Sequence, residues 1–151
     1  MSSEDGRTAL SYEERRTWIY LVTSTGGYAV YVAIVLGRAA PTPVAHVSYI
    51  PALLWTAVAA MAAATVGSTV IETARPSDSR RADIRDREIY RFGEYVSRWC
   101  LVAGASAGLV MAMARWQYFW IANVIYLGFV LWAVTGSAVK IVAYRRGLQV
   151  R

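Results

Sequence analysis

Four stretches of the chain are free, or nearly free, of side chains that carry a full charge. Residues 17–37 hold no Asp, Glu, Lys or Arg, and neither do residues 47–71 or 116–139. Trp99–Ala114 is apolar as well and extends backward through Val96 and Tyr95 to about 20 residues, residues 95–114. A hydrocarbon core about 30 Å thick is crossed by roughly 20 residues of helix, because the helix rises about 1.5 Å per residue. Each stretch meets that length. Period-two alternation is absent, so the strands of a barrel are not indicated. The pattern predicts an all-α integral membrane four-helix bundle, one membrane domain over residues 1–151. Its spans are residues 17–37, 47–71, 95–114 and 116–139. A tail of residues 1–16, a loop of residues 72–94 and a tail of residues 140–151 carry most of the charge.

The first span is expected to be retained rather than cleaved. Its charge-free run exceeds the 7–15 residues of a signal-peptide core. Trp18, Tyr20, Tyr28 and Tyr31 are unusual in such a core, and Pro41 directly follows the small pair Ala39–Ala40. Orientation follows from the basic residues. Fourteen of the 16 lie in the two tails, in the 72–94 loop and at the base of the third span; Arg38 and Arg115 stand on the other side. All ten acidic residues share the basic side. The positive-inside rule then predicts cytoplasmic termini and a cytoplasmic middle loop in a multi-pass protein of the cell (inner) membrane. Trp18, Tyr20, Tyr90, Trp99, Trp116 and Trp120 fall at the predicted headgroup levels, where amphipathic rings are favoured.

Composition narrows the chemistry. Of 151 residues, 56% are hydrophobic and 17% charged, with a net charge of +6. A soluble domain carries about 25% charged residues. One Cys excludes an intrachain disulfide, and one His excludes a multi-His metal site within one chain. No nucleophile–base pair, paired catalytic carboxylates or metal-ligand spacing is visible. Neither an enzyme nor a cofactor is therefore expected. Cys100 reads as a packing residue in the third span, and His46 as an exposed residue of the outer loop.

Counting depth from the ends of the spans puts Gly26–Gly27, Ala59–Ala60, Gly104 and Gly128 near the midplane. Gly104 and Gly108 form a GxxxG, and Ala60, Ala64 and Ser68 repeat at four-residue spacing. Small residues let helix backbones approach, within one bundle or between two copies of the chain. Asn123, Tyr31 and Thr56 share a depth in the outer half. They are expected to form an interhelical polar cluster or, alternatively, the wall of a small pocket. Glu72, Glu94, Arg98 and Lys140 lie near the inner interface and predict ion pairs there, with Glu94 and Arg98 at i, i+4.

The 72–94 loop is the most informative stretch. From Ser79 the sequence predicts an amphipathic helix lying along, and then entering, the inner leaflet before the third span, with Ile84, Ile89, Phe92, Val96 and Trp99 at near-helical spacing. Arg80, Arg81, Arg85, Arg87 and Arg91 mark its basic face, a candidate contact for anionic lipid or a cytoplasmic protein. Interleaved Asp and Glu disfavour nucleic acid as the partner. The segment Asp83-Ile-Arg-Asp-Arg-Glu-Ile, the block Phe119-Trp-Ile-Ala-Asn123 and the ending Val142-Ala-Tyr-Arg-Arg-Gly147 together resemble a family of small, uncharacterised four-helix membrane proteins of bacteria and archaea. Ile84 stands where that family carries an acid. The resemblance covers mainly residues 80–147 and implies fold and membrane location, with no established activity. Family genes often neighbour small helix-turn-helix regulators, which implies a cytoplasmic regulatory protein as a candidate partner.

The functional expectation is a non-enzymatic membrane module, regulatory or interacting, that binds a cytoplasmic partner or lipid and is open to homo-oligomerisation. The alternative is a small-molecule transporter or exporter subunit. That alternative lacks the carboxylate that such exporters carry in the membrane centre.

Overall fold

The computed structural model describes residues 12–39, 43–73 and 83–146; within these, the side chains of residues 12, 13, 72, 83–89, 144 and 146 are outside the description. The described chain is all-helical. Its helices are α1 (Tyr12–Arg38), α2 (Ile50–Thr73), α3 (Asp83–Met113) and α4 (Tyr118–Arg146), with a short 3-10 turn at Val44–His46. All four are long and apolar enough to cross a membrane.

The helices outrun the charge-free stretches. α1 begins before residue 17 and α4 continues past residue 139, because charged side chains reach back to a polar surface without interrupting the backbone ladder. Pro51 sits in the first turn of α2, where the missing N–H would have had no intrahelical partner. α3 is a single helix of 31 residues, about 46 Å at 1.5 Å per residue. From Asp83 onward the predicted extension and the third span are thus one continuous helix, longer than a hydrocarbon core of about 30 Å is thick; residues 79–82 of that extension lie outside the described residues.

Between α3 and α4 the chain turns within four residues. The Trp116 amide donates to the Met111 carbonyl at 3.0 Å and the Arg115 amide to Ala112 at 3.1 Å. This is the Schellman arrangement, which uses two otherwise orphaned carbonyls at a helix end. It requires a left-handed residue after the cap, and Arg115 takes that place with φ 58°.

Side by side, the helices run in the order α2, α1, α4, α3: α1 packs on α2 and on α4, and α4 packs on α3. No comparable seam joins α2 to α3 among the described residues. The bundle is therefore an open row with α2 and α3 at its edges. Small residues set its closest approaches. A Cβ on Gly27 would lie 2.9 Å from the Ala60 Cβ, and one on Gly104 only 2.6 Å from the Gly128 Cα. The GxxxG of α3 thus faces α4 of the same chain, and Gly108 of that motif packs against Ile125.

Among the described residues a small buried apolar cluster has Tyr31 and Val35 of α1, Ala52 of α2 and Phe119 of α4 at its centre. Between 11% and 22% of each apolar span is buried inside the molecule. Trp55 and Met61 on α2, and Leu109 and Met113 on α3, point outward. Soluble monomers do not expose contiguous apolar surface on this scale.

Candidate functional site

The charged helix ends meet at one end of the molecule. Arg145 of α4 pairs with Glu14 of α1 at 3.5 Å and lies over the Trp18 ring, 5.7 Å from its centroid. Lys140 of α4 reaches Glu94 of α3 at 3.0 Å, with its ammonium 3.8 Å from the centre of the Tyr90 ring. Ile19 of α1 rests against Gly67 of α2. The start of α1, the end of α2, the start of α3 and the end of α4 are gathered there. Arg38, Ser48 and Arg115 lie at the opposite, turn end, where Arg38 donates to the Ser48 carbonyl at 3.0 Å.

The expected i, i+4 pair of Glu94 with Arg98 is not formed: Glu94 is engaged across the helix seam and Arg98 is exposed. The cause is Gly93. A Cβ there would meet Lys140 Cγ at 2.8 Å and Cε at 2.9 Å, so the bare backbone of α3 lets the lysine stem lie flat and deliver its ammonium to the next turn. Across the seam Lys140 also gains the Tyr90 ring, whereas a pair on the outer face of α3 competes with solvent. Of the other residues expected at this level, the Glu72 side chain is outside the described set. Arg80 and Arg81 are outside the described residues. Arg85 and Arg87 lie on the first turns of α3 with their side chains not described, and Arg91 is exposed.

Next to the Glu94–Lys140 pair is a groove of about 270 Å³. It lies over α4 between α1 and α3, which flank α4 without a seam of their own. Arg16 and Tyr20 come from α1, Tyr90 and Glu94 from α3, and Trp132, Ser137 and Lys140 from α4. Both rims are aromatic and the floor is apolar, with charge at one end. The depth count could have found Arg16, Tyr20 and Tyr90 as neighbours of Lys140. Trp132 and Ser137 carry no signal in the sequence, because nothing there says which face of α4 stays open.

In the opposite half, the Tyr31 hydroxyl donates to Asn123 Oδ1 at 2.7 Å, and Asn123 Nδ2 donates to the Phe119 carbonyl at 2.8 Å. Tyr31 is 1% exposed and packs edge-on against Tyr126, with ring centres 5.3 Å apart. Tyr28 closes the ring cluster. The third expected member, Thr56, takes no part: its hydroxyl donates to the Ala52 carbonyl of its own helix at 2.7 Å. A threonine beside an apolar seam satisfies its donor locally, where no ordering of a second helix is needed. The cluster is a clamp between α1 and α4.

Cys100 is half-buried in the α3–α4 seam, its Sγ 3.7 Å from Thr135 Oγ1. His46 is exposed in a shallow cleft at the turn end with Arg115 and Trp116. Among the described residues no three His, Cys, Asp or Glu side chains come together in a metal-binding group.

Neither a family model, nor a curated protein, nor a solved structure matches this chain.

Proposed function

We propose that the chain is a multi-pass module of the cell membrane, with both termini in the cytoplasm, that acts by contact rather than by catalysis. Its partner is a cytoplasmic protein held by the arginine-rich segment before α3 and by the two tails. One observation carries this reading: the polar chemistry is one-sided. Fourteen of 16 basic residues and all ten acidic residues belong to segments that lead to one end of the helix row. The turn end offers only Arg38 and Arg115 as full charges. A partner that reads charge has almost nothing to hold there. The outward apolar faces of α2 and α3 suit acyl chains, which cover them without a protein partner.

Two measurements test the proposal. In a Cys100→Ala background, single cysteines at Ser48 and Ser79 are probed with a membrane-impermeant maleimide on intact cells. Labelling of the Ser48→Cys protein alone is expected; labelling of Ser79→Cys instead reverses the orientation and ends the proposal. Crosslinking in native membranes, followed by purification, is expected to retain a cytoplasmic protein. That protein should be lost when Arg80, Arg81, Arg85, Arg87 and Arg91 become Gln at unchanged membrane abundance. Retention of the same proteins by the Gln variant removes the arginine segment as the contact.

A further inference from the structure

We infer that the cleft at the turn end is a binding site for an amphipathic anion, with an oxyanion head beside Arg115 and an apolar body along the aromatic wall. The site exists on whichever side of the membrane that end lies, and four observations carry it.

The first is the cleft itself. The 3-10 turn packs on α1 and on α4, so it brings His46 and the following Tyr49 across to face the end of α3 and the turn into α4. The space between them measures about 830 Å³, within the range of roughly 300–1,000 Å³ typical of ligand clefts. The second is its wall. Phe119 is buried, and Tyr49 and Trp120 each meet its ring edge-on with centroids 5.1 Å apart. Phe119 and Tyr49 line the cleft together with Ile121. A packed ring pair and an aliphatic side chain thus form an apolar surface that is in place before any ligand arrives. Trp116 stands exposed at the rim.

The third observation is the sign of the charge. Among the described residues Arg115 and His46 line the cleft and no acid does. No Asp or Glu occurs in residues 15–71 or 95–151, the segments from which this end is built. The other arginine of this end, Arg38, is engaged by the Ser48 carbonyl. The Arg115 side chain meets no hydrogen-bond or ion-pair partner among the described residues. A guanidinium offers five donors in a planar fork that matches a carboxylate or a phosphate. One such group is too little to hold a protein and enough to orient one small anion.

The fourth is the backbone of Arg115. Its φ of 58° is a left-handed conformation in which glycine is the unstrained occupant. No described contact of the arginine side chain offsets that cost. Strain held at one residue points to a role for what that residue carries. The balance of charge disfavours an organic cation, and a bare inorganic anion would leave the aromatic wall unused.

The test uses the purified full-length chain in nanodiscs of phosphatidylcholine. Three photoactivatable probes carry a diazirine in the acyl chain: palmitate, palmityl alcohol and phosphatidylglycerol. Labelled peptides are mapped by mass spectrometry, and apparent affinities are read from saturation. An anionic probe is expected to label residues 45–50 or 112–121 saturably, and the alcohol is not. Label from palmitate supports a free acid as the source of the head, and label from phosphatidylglycerol supports a phospholipid. Arg115→Gly should weaken the labelling about tenfold, the worth of one hydrogen bond to a charged group. The same variant should be as stable as the native chain, or more so, in SDS unfolding. An arginine that only held the turn together would lose both. Arg115→Lys should keep part of the affinity, and His46→Gln should lower it. If Arg115→Gly does not fold, the comparison of Arg115→Gln with Arg115→Lys decides the question, since the two differ mainly in charge.

Equal labelling by palmityl alcohol overturns the inference, as does unchanged labelling in folded Arg115→Gly or Arg115→Gln. Label confined to residues outside the cleft does the same. Competition by acetate at the affinity of palmitate removes the apolar body from the recognition and also overturns it. The purified system contains no cytoplasmic protein, so failure of the partner proposal leaves these outcomes unaffected.

Discussion

Replacement of Gly104 by Ala tests the helix order most directly. The new Cβ would stand 2.6 Å from the Gly128 Cα, 3.3 Å from the Gly128 nitrogen and 3.4 Å from the Val124 carbonyl oxygen. All three are backbone atoms, so no rotamer change relieves the clash. Carbon atoms settle at about 3.5–4.0 Å, so α3 and α4 must part by about 1 Å at this level. A gap of that size forfeits a quarter to a half of each dispersion contact around it, and overpacking of this kind costs about 1–3 kcal/mol. Gly26→Ala is the matched control. Nothing lies within 4 Å of a Cβ there, and Ala is about 0.8–1 kcal/mol better than Gly in a helix interior. SDS-titration unfolding in mixed micelles, followed by circular dichroism, should show Gly104→Ala less stable than the native chain and Gly26→Ala equal or more stable. Cys100, the one cysteine, lies in the same seam and reports its opening: maleimide should react faster in Gly104→Ala. If Gly104→Ala is neutral and Gly26→Ala destabilises, the GxxxG does not face α4 within the chain, and the order α2, α1, α4, α3 is wrong.

Three further outcomes follow from the described contacts. Asn123→Ala leaves the Tyr31 hydroxyl without its acceptor and should cost about 1–3 kcal/mol, whereas Tyr31→Phe combined with Asn123→Leu should recover most of the loss in a double-mutant cycle by SDS unfolding. Arg115→Gly removes a left-handed non-glycine residue from the α3–α4 turn and should stabilise the chain by about 1 kcal/mol in the same assay; destabilisation would show that the arginine side chain does more at the turn end than its backbone costs. Gly93→Ala displaces the Lys140 stem and should break the Glu94–Lys140 pair, abolishing any coupling between Glu94→Gln and Lys140→Met. A cycle that keeps its coupling in the Gly93→Ala background refutes the role given to that glycine.

Much of the fold is legible from where charge is absent. Residues 17–37 and 116–139 had to be helices, because a long apolar backbone satisfies its own hydrogen bonds only that way when no water is at hand. Helix ends were less legible: Glu14, Arg16 and Lys140 lie on the helices rather than outside them, since long side chains carry their charge to a polar surface from within a helix. The candidate site was legible as a set of depths. Depth brought Asn123 together with Tyr31 and assigned Glu94 and Lys140 to one level. It also suggested Thr56 for the first group and Arg98 for the second, and both are absent from the contacts made.

The amino-acid sequence by itself determined that four helices form, that each is long enough to cross a hydrocarbon core, and at which end of each the charge accumulates. These follow from local hydrogen bonding and from the cost of burying charge, properties of single segments. Only the tertiary structure decided which helix stands next to which, that Gly104 meets Gly128 rather than another copy of the chain, that Lys140 crosses to Glu94 over the bare backbone of Gly93, and that a groove stays open beside Ser137. Those outcomes depend on which small residues face each other across a seam. In spans that are apolar on nearly every face, no periodicity marks that face in advance. Steric fit between backbones chooses it, and the polar side chains then pair with whatever that fit brings within reach.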